Sequence, residues 1–139
     1  MAANTTTSNP RVSESEKLTI NLGYVDLGQI DLLVAEGFYA NRSDFIRTAI
    51  RNHLRSHADA VQQVVARKML VLGMQHFSHA DLMRVHAAGE KLQIRVLGLA
   101  SIAQDVPAQL AAETIESITV LGALQASPAV RAALAGRIT

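Results

Sequence analysis

The 139-residue chain is predicted to be an α+β protein in two parts. A strand–helix–helix unit spans residues 16–56, and a short strand–helix repeat, stacked like a solenoid, spans 69–139. Three observations carry this reading. Residues 17–22 alternate apolar and polar, the period of a strand with one buried face. Residues 26–36 and 42–54 carry apolar side chains at helical spacing. The triplet Val-Leu-Gly occurs three times, as Val71-Leu72-Gly73, Val96-Leu97-Gly98 and Val120-Leu121-Gly122, at steps of 25 (71 to 96) and 24 (96 to 120) residues. With 49% apolar and 18% charged residues the chain is too apolar for wholesale disorder, and with 4% aromatics its core must be aliphatic.

The first residues, 1–15, are polar and rich in Thr and Ser and read as a disordered arm. In the strand that follows, Leu18, Ile20 and Leu22 share one face and Lys17, Thr19 and Asn21 the other. A lone strand cannot satisfy its own backbone groups, so this one needs a partner strand. The first helix is expected over Asp26–Glu36, with Leu27, Ile30, Leu33 and Val34 on its apolar stripe and Gly37 as the left-handed residue that ends it. A second helix starts near Asn41, a good N-cap, and its apolar face is Phe45, Ile46, Ala49, Ile50 and Leu54. Residues 57–68 read as a helical linker that either breaks at Ser56-His57 or continues through Val61, Val64 and Val65.

Beyond the linker, each triplet is followed by a helix-start signal: Ser78-His79-Ala80-Asp81, Asp105-Val106-Pro107-Ala108 and Ser127-Pro128-Ala129-Val130. Each unit therefore reads as strand, glycine bend, capped short helix and return. Units of this length stack into a parallel sheet backed by helices, each burying its neighbour's apolar face. No polar capping unit follows Leu134, so both edges of the stack are expected to be open to another copy.

Several functions are excluded or disfavoured. The absence of Cys removes disulfides, thiolate metal sites and a Cys nucleophile. No stretch is long and apolar enough to span a membrane, and no secretory leader is visible, so the expected location is the cytoplasm, at the nucleoid. There is no phosphate-binding glycine loop, no nucleophile elbow and no metalloprotease helix. The chain is not expected to be an enzyme or to carry a cofactor. His76, His79 and His86 are close enough in sequence to raise a metal site, but surface and capping roles explain them and no metal is expected.

Paired antiparallel with its copy from a second subunit, the 17–22 strand would turn its apolar residues to the helices and present Lys17, Thr19 and Asn21 outward. A two-stranded ribbon of that size fits the major groove of DNA, where Lys can donate to guanine and Asn can pair with adenine. The N-terminus of the second helix, at Asn41, Arg42 and Ser43, would offer N–H groups to a phosphate.

This arrangement resembles the ribbon-helix-helix regulators of the CopG/Arc/MetJ group. The resemblance is carried by Glu16-Lys17-Leu18-Thr19-Ile20-Asn21-Leu22 and by Gly37-Phe38-Tyr39-Ala40-Asn41-Arg42-Ser43-Asp44-Phe45-Ile46-Arg47-Thr48-Ala49-Ile50-Arg51, about two-fifths of the chain. It implies an intertwined homodimer on double-stranded DNA, with base reading by Lys17, Thr19 and Asn21 and phosphate contact by Asn41, Arg42 and Ser43. The dimer core would hold Leu18, Ile20, Leu22, Phe45, Ile46 and Ile50. The chain is also similar to the nickel-responsive repressors in joining such a unit to a C-terminal domain, but it lacks their Cys ligand.

Through His57 the chain has six basic residues (Arg11, Lys17, Arg42, Arg47, Arg51, Arg55) and six acidic ones (Glu14, Glu16, Asp26, Asp31, Glu36, Asp44). Non-specific DNA affinity is therefore expected to be modest, and firm operator binding to use neighbouring dimers. The leading expectation is a sequence-specific transcriptional repressor whose C-terminal repeats mediate oligomerisation. The alternatives are an antitoxin, whose tail would fold on a toxin protein, and a DNA-anchored structural protein that forms filaments.

Overall fold

Among the described residues, the alternating N-terminal segment finds no strand to pair with. In the computed structural model, which describes residues 15–139, residues 15–23 have no regular secondary structure. The expected strand at 17–22 is thus not formed by a single chain. The reason is physical: the segment's N–H and C=O groups need a second strand, and the three strands among the described residues lie together in one sheet of the C-terminal half. The expected arm lies almost wholly in residues 1–14, outside the described residues.

Two compact units divide the described residues, 15–64 and 65–139. In the first, α1 (Tyr24–Ala35) starts two residues before the expected Asp26 and α2 spans Arg42–Ser56. Gly37 stops α1 as expected. It sits at φ +83°, its N–H reaches Val34 O at 3.1 Å and the Phe38 N–H reaches Leu33 O at 3.0 Å, so the last turn's free carbonyls are satisfied by a left-handed C-terminal cap. Asn41 caps α2, its side chain accepting the Asp44 N–H at 2.8 Å, while the Asp44 carboxylate accepts the Ala40 N–H at 2.9 Å. Helix α3 (Ala58–Lys68) begins afresh after His57.

Helix α3 ends on Met69, the one non-glycine residue at positive φ, +51°, among those described. The same hydrogen-bond pair recurs there: Met69 N–H to Ala66 O, 3.2 Å, and Leu70 N–H to Val65 O, 3.0 Å. A left-handed conformation costs an L-residue about 1–2 kcal/mol. Met69→Gly is therefore expected to stabilise the chain by about 0.5–1 kcal/mol, after the extra entropy of a glycine in the unfolded chain. Urea denaturation checks it, with an unchanged or lower midpoint as the contrary result.

The second unit is a three-stranded parallel sheet in the order β1 (Val71–Phe77), β2 (Leu92–Ile102), β3 (Ile115–Gln125). A helix follows each strand: α4 (His79–Ala87), α5 (Ala108–Thr114) and α6 (Pro128–Ala133). The three triplets stand side by side, Val71, Val96 and Val120 in one row, Leu72, Leu97 and Leu121 in the next, Gly73, Gly98 and Gly122 in the third. The glycines lie inside the strands rather than after them. Their φ values are +128°, +139° and +118°, and a Cβ on Gly98 would stand 2.1 Å from Gly73 O, as one on Gly122 would from Gly98 O. At Gly98 and Gly122 the neighbouring backbone is too close for any side chain, whereas Gly73, on the outer strand, has open space there.

One face of the sheet carries the core. Ile94, Val96, Ala100 and Ile102 of β2 are buried with Leu82 of α4, Leu110 and Ala111 of α5, Ile115 and Ile118 of β3, and Val130 of α6. The alternate residues of each strand point away from this core. Ser78 caps α4 in a reciprocal box with Asp81, at 3.1 and 2.9 Å, and Ser127 caps α6, whose first residue is Pro128. At α5 the expectation needs correction: Pro107 is itself the N-cap and gives no side-chain bond.

The chain end also corrects an expectation. Residues 135–139 close part of the β3 edge: Ile138 bridges Ile118, the Thr139 N–H reaches Ile118 O at 2.9 Å, and the Arg137 guanidinium donates to Ile115 O at 2.8 Å. These contacts satisfy the carbonyls of Ile115 and Ile118, two of the groups that a further strand would have taken.

The α4 cap has a pH signature. Hydrogen bonds from the backbone and side chain of Ser78 hold the Asp81 carboxyl below its ordinary value, and Arg84 beside it acts in the same direction. A lowered folded-state value contributes stability above the unfolded value, about 3.9, and loses it as the pH falls through the lowered one. The difference in melting temperature between the wild type and Asp81→Asn is therefore expected to shrink between about pH 5 and pH 2.5. A constant difference across that range would contradict it.

Candidate nucleic-acid interface

The N-terminal unit is a set of amphipathic segments with almost nothing to cover them. Over residues 15–64 only Ile30 is buried. Leu18 is 80% exposed, Ile20 58% and Ile50 53%, and Leu22, Leu32, Phe38 and Leu54 are exposed as well. Phe45 and Ile46 are half-buried, Phe45 through an edge-on contact with Tyr39 at 5.0 Å between ring centroids. Fifty residues that bury one aliphatic side chain do not hold a fold against chain entropy. Leu18, Ile20, Leu22 and Ile50, expected in a dimer core, are the residues a single chain leaves to water.

Lys17, Thr19 and Asn21 are exposed. Asn41, Arg42 and Ser43 come together at the start of α2 and are exposed too. The N–H groups of Arg42 and Ser43, at the first two helical positions, have no acceptor within the helix, and the helix dipole favours an anion there. The Arg42 guanidinium, however, already has an occupation. It clasps the Asp31 carboxylate of α1 through two hydrogen bonds, 2.7 and 2.8 Å, and holds that carboxyl below its ordinary value. Expectation had Arg42 on phosphate; in the single chain its side chain ties α1 to α2, because Asp31 lies within reach of a planar fork that matches a carboxylate. Asp44 adds a second negative charge at this helix start. The backbone N–H groups and the Ser43 hydroxyl are what the site has left for a phosphate.

The histidines do not converge. His76 Nδ1 is 2.7 Å from Ser101 Oγ on the neighbouring strand, His86 Nε2 is 2.9 Å from Glu113, and His53 stacks edge-on with His57. Among the described residues no group of three or more His, Asp or Glu side chains is placed to hold a metal ion. No helix among them is long and apolar enough to cross a membrane.

A family model for the Ribbon-Helix-Helix transcriptional regulator family matches residues 13–131. The chain belongs to that family, and its members are DNA-binding transcription regulators. The match starts ahead of the alternating segment and runs through the sheet into α6, well beyond the two-fifths over which the resemblance was legible. No curated protein and no solved structure matches the chain.

Proposed function

We propose that the chain is a sequence-specific repressor that works as a homodimer and acts by binding rather than catalysis. Two copies pair their 17–22 segments antiparallel, and the resulting ribbon enters the major groove with Lys17, Thr19 and Asn21 from each copy against base edges. Asn41, Arg42 and Ser43 supply the phosphate contact, chiefly through main-chain N–H groups. The C-terminal unit, a short solenoid-like stack of three strand–helix passes, joins copies and makes neighbouring dimers bind cooperatively. Repression follows from occupancy of the operator.

The observation that supports this best is the alternation at 17–22 with both of its faces exposed in one chain: an apolar row that needs a cover, and a row of three groove-compatible side chains. The antitoxin alternative calls for a tail without its own core, whereas residues 65–139 bury a continuous aliphatic cluster.

The test is Lys17→Ala combined with Asn21→Ala. Each good base contact is worth about 1–3 kcal/mol of discrimination, and a dimer doubles the number. Preference for the operator over random DNA is expected to fall roughly 100-fold or more in a footprinting titration, with the dimer intact by light scattering. Retained preference would count against the ribbon.

A further inference from the structure

The sheet has a second face. Leu72, Leu97 and Leu121 form one row on it and Met74, Leu99 and Ala123 the next, in register across β1, β2 and β3. None of the six belongs to the core or packs against it. Leu72 is 64% exposed, Met74 65% and Leu121 51%. Polar rows bound the patch, with Arg95 and Thr119 paired at one end and His76, Ser101 and Gln125 aligned at the other. An apolar centre with a polar rim is how a protein interface is laid out. No charge lies within the two apolar rows, so two copies can meet there without repulsion.

We infer that this face packs against the same face of a second copy, sheet on sheet. The size of the patch selects that occupant. Three strands about 4.8 Å apart, over about six residues of length, give a footprint of roughly 300 Å². That is well under the roughly 800 Å² per partner of a stable interface between free proteins. A face this small holds only a partner that is already nearby, and a second copy tethered through the N-terminal unit is present at millimolar effective concentration. The inference rests on the proposed dimer and adds the sheet face, as the contact within one dimer, to the strand edges that would join neighbouring dimers.

The chain has no Cys, so single cysteines report this contact in the full-length protein. Packed sheets lie about 10 Å apart from backbone to backbone, so thiols that project from both into the gap come within disulfide reach under a mild oxidant. Leu97→Cys, on the middle strand, is expected to link into covalent homodimers at least about tenfold faster than Asp105→Cys, an exposed loop position. Leu121→Cys is the second reporter should Leu97→Cys fold poorly. Adding Leu72→Asp and Met74→Asp, both at exposed sites, is expected to abolish the linking.

Light scattering and operator binding on the same samples separate the two levels. Slow linking at Leu97 and Leu121 in a protein that is still a DNA-binding dimer overturns the sheet face and leaves the ribbon standing, with the face then free for a different protein. A monomer that binds no DNA overturns the dimer itself, and the face with it. Linking that persists in the double Asp variant also overturns the face.

Discussion

Replacing Gly98 by alanine is expected to unfold the C-terminal unit at temperatures where the wild type is intact. The added Cβ would stand 2.1 Å from Gly73 O and 3.0 Å from its carbonyl carbon, both main-chain atoms of the paired strand, at a φ of +139°. No rotamer relieves such a clash. The strand has to separate from β1 or change its own backbone, and β1 and β3 both hang on β2. Overpacking and backbone strain together cost about 3–5 kcal/mol. The unit of about 75 residues has only about 4–11 kcal/mol to lose. At about 4–8 °C per kcal/mol, the melting transition followed by far-UV circular dichroism should fall by about 15–30 °C. Gly122→Ala should match it. Gly73→Ala, with the same sign of φ but nothing within 4 Å, should cost only the strain, about 1–2 kcal/mol. Equal effects at positions 73 and 98 would show that close backbone approach is not what the glycines are for.

The second large effect lies at the other end of the chain. Ile20→Asp is expected to leave a monomer that binds no operator. In one chain Ile20 is exposed, so the substitution should be harmless there; its cost arises only when two copies bury the residue. Each copy then loses an aliphatic burial worth about 2 kcal/mol, and the pair must desolvate two like charges. The dimer dissociation constant should rise at least about 1000-fold, measured by sedimentation equilibrium. The effect on operator binding should be at least as large, since the proposed reading surface takes its base contacts from both copies. Thr19→Ala, on the opposite face of the same segment, should leave the dimer intact. A dimer of unchanged affinity with Asp at position 20 would remove the apolar row from the interface.

What the sequence disclosed, and what it did not, follows from the range of each interaction. Gly37 and Asn41 were legible because caps are local: a glycine after the last apolar residue and a small polar residue before the next helix act within a few positions. The triplet repeat was legible as a period, yet its meaning was not. Strand pairing is long-range, and only the register shows that Gly98 sits against Gly73 rather than ending a strand. The near-equal triplet spacing, 25 and 24 residues, was the available signal, since parallel strands of nearly one period align like with like. The Arg42–Asp31 pair spans eleven positions and two helices, beyond any spacing rule. The same distance effect hid Ile138 on the β3 edge. Lys17, Thr19 and Asn21 were chosen by alternation and by the family resemblance, and the single chain leaves them exposed without giving them a strand, because no strand among the described residues lies beside them.

Amide hydrogen exchange over residues 15–23, followed by mass spectrometry as the protein is diluted through its dimer dissociation, asks most directly whether two copies build the ribbon. Ladder hydrogen bonds between chains should slow exchange in this peptide at concentrations where light scattering finds a dimer, and the protection should vanish on dilution and in Ile20→Asp. Exchange at the rate of an unstructured peptide in a sample that is wholly dimeric would mean that the copies associate elsewhere and that no ribbon exists to enter a groove.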